Sequence, residues 1–290
     1  MLIFRTADGS LIIDASPSAN AALDADTVEL VQQIVRTANL HLRVTTTNST
    51  CQAVGVDPAT LKRTKIIVEF LPSKDHMRNH KYVHAWTQPG VPDKIFFDEG
   101  MLKRFKSIRN NSDAVEERNR IILFLAWKFV HELSHLGFRW KHGQRCKSPP
   151  EFHGESGEYV ETAMLGGLAG FIFSGANEWN GDQEVSGLVL TRSHRSRKRN
   201  HRVLESFIKN VLAQVESSEP VLNDLYPVRV EDSREIRLEG GEHLCSGAAG
   251  NDGDDEGTEE TDEHLLGVGE HFSEASCGTH EFYLPTGTQE

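Results

Sequence analysis

The chain has 290 residues, of which 38% are hydrophobic and 26% charged, an ordinary globular composition with length enough for one sizeable core. Its formal charge of -12 is unevenly placed: residues 241–290 hold 13 of the 43 Asp and Glu and none of the 31 Lys and Arg, so the first 240 residues carry 30 acids against 31 bases. The body is nearly neutral, and whole-chain acidity does not exclude an anionic partner for it.

In chain order, MLIFRTADGSLIID (1–14) reads as two short apolar runs around an Asp8-Gly9 turn, a hairpin pattern. Asp8 and Asp14 interrupt it and no basic leader precedes an apolar core, so it does not read as a signal peptide. Residues 24–42 place Val28, Leu30, Val31, Ile34, Val35 and Leu40 at amphipathic-helix spacing. TKIIVEFLP (64–72), HKYVHAWTQPG (80–90) and DKIFFDEG (93–100) predict three strands, and MLKRFKSIRN (101–110) a helix. Asn111, Ser112 and Asp113 offer caps for a long helix running to Phe138.

A proline- and glycine-containing loop, 140–157, follows. EYVETAMLGGLAGFIF (158–173) can start as a helix, with glycines suited to close packing of that helix against the core or to an exit. VSGLVLTR (185–192) predicts a strand, 202–217 a helix, and 221–240 a closing segment. From about Gly240 the chain turns to Gly, Ser, Asp and Glu, which bury too little apolar surface to offset ordering entropy. The expected organisation is a body over 1–238, sheet-rich over 1–100 and helical over 101–238, then a disordered acidic tail over 239–290, with HEFYLP (280–285) a candidate for local docking. Cys51, Cys146, Cys245 and Cys277 form no CxxC pair, which argues against a disulfide framework or a zinc ribbon. The apolar stretches 121–127 and 163–173 are too short to span a bilayer, so no membrane partner is expected. An intracellular protein, cytoplasmic or nuclear, is the expectation.

FVHELSHLGF (129–138) carries the chemistry. Histidines four apart on a helix lie on one face, one turn apart, so His131 and His135 can reach one ion. Glu132 is placed to flank that ion and hold its water. From Ile121 to Phe138 the flanks are mostly apolar, so this helix is buried on most sides. Two imidazoles and a carboxylate there need partners, and a metal satisfies all three; a hydrogen-bonded His-Glu cluster is the plainer alternative. Zinc bound this way needs a third protein ligand and an open position for water. His153 and Glu155 are the nearest downstream candidates. Phe138 and Lys141 stand where HExxHxxGxxH requires glycine and histidine, so the metzincin pattern fails.

Over residues 129–161 the chain resembles a gluzincin, the thermolysin-like branch of zincin metallopeptidases, which has HExxH on one helix and a glutamate ligand on the next. The resemblance implies His131, His135 and Glu155 as ligands of one Zn2+ per chain and Glu132 as general base. That family places an acidic residue four after the glutamate ligand; here the position is Tyr159. Glu158 or Glu161 could take the orienting role, and Glu158 or His153 could replace Glu155 as ligand. Zinc would lower the pKa of its bound water, Glu132 would move the proton, and His153 or Tyr159 would be candidate oxyanion donors. The implied fold is α+β and zincin-like: a small mixed sheet packed on an active-site helix, with a second metal-ligand helix. KIIVEFLP or KYVHAWTQ is a candidate edge strand for an extended peptide or protein substrate.

RSHRSRKRNHR (192–202) packs six Lys or Arg into eleven residues. It reads first as a solvated loop and second as a weak nucleic-acid contact. The basic run suggests an alternative, a SprT-like protease acting on DNA-bound proteins, with a third histidine as ligand. A further alternative is a catalytically inactive zincin-fold binding module.

Overall fold

The computed structural model describes residues 2–7, 10–13, 24–45, 65–72, 83–88, 90–143, 155–175, 178–194, 197–215, 217, 228–230, 236 and 238–246. The chain divides into Met1–Ala249 and Gly250–Glu290, and the second unit lies wholly outside the described residues. The acidic tail from 250 onward and HEFYLP therefore fall outside them too.

The first unit is α+β. Strands β1 (Leu2–Ala7) and β2 (Ser10–Ile13) form the expected antiparallel hairpin, with Ala7 opposite Ser10. Helix α1 (Ala25–Thr45) follows, capped by Asp24, whose carboxylate accepts from the Thr27 amide at 3.0 Å. Of the residues that the periodicity picks out, Leu30, Val31, Ile34, Val35 and Leu40 are buried and Val28 is partly buried, and Ala38 and Leu42 extend the same apolar side. Strands β3 (Lys65–Leu71), β4 (Ala85–Gln88) and β5 (Val91–Asp98) complete a five-stranded sheet in the order β2-β1-β3-β5-β4. β3 and β5 are parallel while the other pairs are antiparallel, so this sheet is mixed.

Helix α2 (Glu99–Ile108) leads through a short 3-10 turn, Ser112–Ala114, into α3 (Val115–His142). Asn111 accepts from the Asp113 amide at 3.0 Å and so caps that turn. α3 is the axis of the fold, packing on α1, on α4 (Ser156–Leu165), on α5 (Glu205–Val215) and on strands of both sheets. By length and hydropathy the stretch Ser112–His142 could cross a bilayer, yet 94% of its apolar window is buried in the fold, as in a core helix.

The second half departs from the helical expectation. Strands β6 (Leu168–Ser174), β7 (Glu184–His194), β8 (Arg197–Arg202) and β9 (Glu242–Ser246) form a second, antiparallel sheet ordered β8-β7-β6-β9. AMLGGLAGFIF is not one packed helix. α4 ends at Gly166, whose φ of 77° is a left-handed cap and whose N–H bonds Thr162 O at 2.8 Å. LAGFIF then runs on as β6, with Ala169, Phe171, Ile172 and Phe173 buried.

Over its described residues the basic run is paired strand rather than the expected loop: β7 and β8 pair from Val189–Arg202 to His194–Arg197. Lys198 and Arg199 on the edge strand are exposed, and charge on an edge deters pairing with other chains. The boundary drawn at 238 also moves, because β9 is part of the second sheet. Its pairing with β6 is a backbone ladder that a five-residue stretch barely signals in side chains.

Candidate metal centre

α3 carries His131, Glu132 and His135 on buried or nearly buried positions, with their donor atoms within 4.8 Å of one another. The two imidazole rings lie 5.2 Å apart, as one helical turn dictates. Nε2 of His131 is 3.9 Å from a Glu132 oxygen.

The next helix supplies the facing side. Glu155 stands at the N-cap of α4, immediately before Ser156. Its Oε1 touches Nε2 of His135 and lies 3.8 Å from Nε2 of His131. Apart from the two imidazoles, this buried oxygen has no hydrogen-bond partner among the described residues. Burial works against charge on Glu155, but His135, His131 and the Gly157 backbone outweigh it and hold the carboxyl below its usual range.

The outward nitrogens are engaged. Nδ1 of His131 donates to Glu161 Oε2 at 2.7 Å, and Nδ1 of His135 meets Ser156 Oγ at 3.0 Å. With Nδ1 engaged, Nε2 is the nitrogen that each ring turns toward Glu155. Burial disfavours charge on His131, yet Glu161 and then Glu132 raise its pKa above the ordinary value. Glu161 is itself held by Lys128 at 3.0 and 3.2 Å and by the Ala169 N–H at 2.7 Å. Burial alone would raise the Glu161 carboxyl, but Lys128 and His131 bring it down to about 2.

Two imidazole nitrogens and one carboxylate oxygen thus converge in a buried space. Lone pairs facing one another this closely repel unless a proton or a cation lies among them. A two-nitrogen, one-oxygen set is a donor set that zinc accepts. The residues present therefore fit the metal that the sequence motif implies.

The structure brings together His131, Glu132, His135 and Glu155. Glu161 is placed behind His131 rather than at the converging atoms. Glu158 is half-buried, with its carboxyl raised by burial and then by Glu155, and among the described contacts it forms no ion pair with either histidine. Tyr159 packs part-buried against the hydrophobic core. His153 lies outside the described residues.

Sequence reading missed Lys128, Ser156 and Gly157. Lys128 is three residues before His131, so a lone cation in an apolar helix was a readable sign of a buried anion on that face. Gly157 had no such sign. A Cβ built there would overlap the His131 ring, so only glycine lets the first turn of α4 lie against the imidazole.

Strand β4 flanks the same helix. His84, just before it, packs edge-on to Phe124 of α3 with ring centroids 5.4 Å apart. At the other end of the β4–β5 pair, Gln88 is opposite Val91, and Trp140 of α3 donates to Pro92 O at 2.8 Å. β4 therefore runs beside α3 over the stretch that holds His131 and His135, and among the described strands it is the last of its sheet. Of the two strands that the sequence offered as an edge, β3 is interior and β4 is the edge.

A search of family models, curated proteins and solved structures finds no match to this chain.

Proposed function

We propose that the chain is a zinc-dependent metallopeptidase-like hydrolase with a zincin-like arrangement, in which His131, His135 and Glu155 hold one Zn2+ and Glu132 is the general base. The observation that carries this reading is the convergence of two Nε2 atoms on the buried, otherwise unpartnered Oε1 of Glu155. Bound there, zinc would supply Lewis acidity and a water that ionises near neutral pH. Glu132, next to His131 in α3 and buried like it, would take the proton of the attacking water and return it to the leaving amine. Glu161 and Ser156 would keep the histidine protons on Nδ1 and so fix both rings. β4 would offer its outer backbone groups to an extended peptide or protein substrate.

The SprT-like alternative calls for a histidine as third ligand, whereas the carboxylate facing both imidazoles here belongs to Glu155. DNA-stimulated cleavage would favour that alternative nonetheless.

Metal content by plasma mass spectrometry tests the proposal. About one zinc per chain is expected in the wild type, lost in both His135→Ala and Glu155→Ala. Glu132→Gln should retain zinc and lose peptide hydrolysis by a factor of about 10² or more. Absence of zinc after reconstitution would leave the binding-module reading, and full activity of Glu132→Gln would remove Glu132 from its role.

A further inference from the structure

One charged group beside the site has no part in the chemistry proposed above. Arg139 lies one turn beyond His135 on the same helix, so His131, His135 and Arg139 follow one another at four-residue steps along one face of α3. Helical side chains lean toward the N-terminus, which carries the guanidinium back over the turn that holds His135. Its electrostatic neighbours are Glu132 and Glu155, the proposed base and the proposed third ligand.

Arg139 is half-buried, and its Nη1 is buried without a hydrogen-bond partner among the described residues. The plain role for an arginine in a last helical turn is to answer the helix dipole from solvent. A buried Nη1 does not suit that role, and the local carbonyl of Arg139 is already capped by the Gly143 N–H at 2.8 Å. A guanidinium N–H withdrawn from water and left unpaired is costly, and neither nearby glutamate hydrogen-bonds it. That N–H is thus available to an acceptor that arrives from outside. A planar guanidinium matches a carboxylate better than a neutral carbonyl, because it can give two parallel N–H bonds.

We propose that Arg139 binds a carboxylate of the substrate next to the bond being cleaved, which makes it a specificity-determining residue for acidic or C-terminal peptide segments. The inference rests on the metallopeptidase reading for the word cleaved, but not for the binding itself. A free C-terminal carboxylate and an Asp or Glu side chain present the same chemistry to Arg139, and the probes separate them.

Three acetylated tetrapeptides serve as probes: a neutral C-terminal amide, the same peptide with a free C-terminal carboxylate, and the amide with one internal residue replaced by Glu. Their binding to zinc-loaded Glu132→Gln full-length protein is measured by calorimetry, so that hydrolysis does not intervene. At least one carboxylate peptide should bind about tenfold tighter than the neutral amide. Arg139→Gln should abolish that preference without changing the amide's Kd or the zinc content. Arg139→Lys keeps the stem and the charge but loses the fork, and should retain only part of the preference. Preference for the free terminus would assign a carboxypeptidase-type register, and preference for internal Glu a side-chain subsite.

Equal weakening of all three peptides in Arg139→Gln would overturn the inference, as would no preference in the parent or no measurable binding of any probe. The same titration without metal separates the two proposals. A carboxylate preference that depends on Arg139 in a protein unable to take up zinc would sink the metallopeptidase reading and leave this one standing. Zinc and hydrolysis without any preference would do the reverse.

Discussion

Glu161 meets three demands at once: it accepts from His131, it pairs with Lys128, and it accepts the Ala169 amide of β6. All of this is buried, so removing the carboxylate strands a buried cation as well as an imidazole. Glu161→Ala should destabilise the fold by about 3–5 kcal/mol, read as a drop in urea midpoint with chelator present so that metal makes no contribution. An unchanged midpoint would mean that Lys128 finds water instead. Where metal is bound, Glu161→Gln should weaken it by about 10–100-fold, measured by competition with a coloured chelator. Gly157→Ala acts on the same histidine by sterics alone. The added methyl must push the His131 ring or α4 aside, so metal uptake should fall while the charge of the site stays the same. Motif spacing made the first three residues of the site legible, since i and i+4 fix a helical face. It could not order the candidates for the third ligand, because that choice depends on how α4 docks against α3.

At the scale of elements, β9 shows how a short segment is held by others. Its Cys245 is buried, with Sγ 3.1 Å from His84 Nε2, and burial pushes the thiol up to about 12. Arg202 of β8 reaches Glu242 at 3.1 Å, passing Gly187, where a Cβ would crowd its guanidinium. A chain ending at residue 238 should therefore unfold at a lower temperature than one ending at 249, and its His84 would lose the thiol. Equal melting of the two chains would show that β9 adds nothing. The thiol itself should resist iodoacetamide in the folded chain and react on unfolding, because the neutral form is favoured and enclosed. None of this is readable in GEHLCS, where Leu and Cys are the sole apolar residues of a polar stretch. The same limit hid β6: a run of apolar residues after two glycines fits a packed helix as well as a buried strand. Gly166 decides between them by adopting a left-handed cap, a property of the backbone rather than of the composition.

For the whole molecule, the buried histidines set the acid limb. His41 in α1 and His84 before β4 are both held near a pKa of about 3, burial being the main cause in each and Lys128 adding to it at His84. An unfolded histidine titrates near 6.5, so between 6.5 and about 3 the unfolded chain binds the protons that the folded chain refuses. Stability is intact above that window and falls as pH drops through it, by about 1.4 kcal/mol per pH unit for each histidine. Urea unfolding from pH 6.5 to 5 should show this slope, and His84→Phe should remove about half of it. A flat profile would mean that both rings find water or a carboxylate when protonated.

The sequence by itself determined the long buried helix, the helical face shared by His131, Glu132 and His135, the amphipathic α1, and the strands that build a mixed sheet. These follow from periodicity, which is local and survives without knowledge of neighbours. Tertiary structure alone decided that Glu155 faces both imidazoles, that Lys128 and Glu161 stand behind His131, that the basic run is an edge hairpin, and that β9 closes a second sheet. The Glu155, Lys128–Glu161 and β9 contacts depend on which surfaces meet across 20 or more residues of chain, a range at which no spacing rule carries information about docking, and the hairpin depends on how the strand before it pairs within the second sheet.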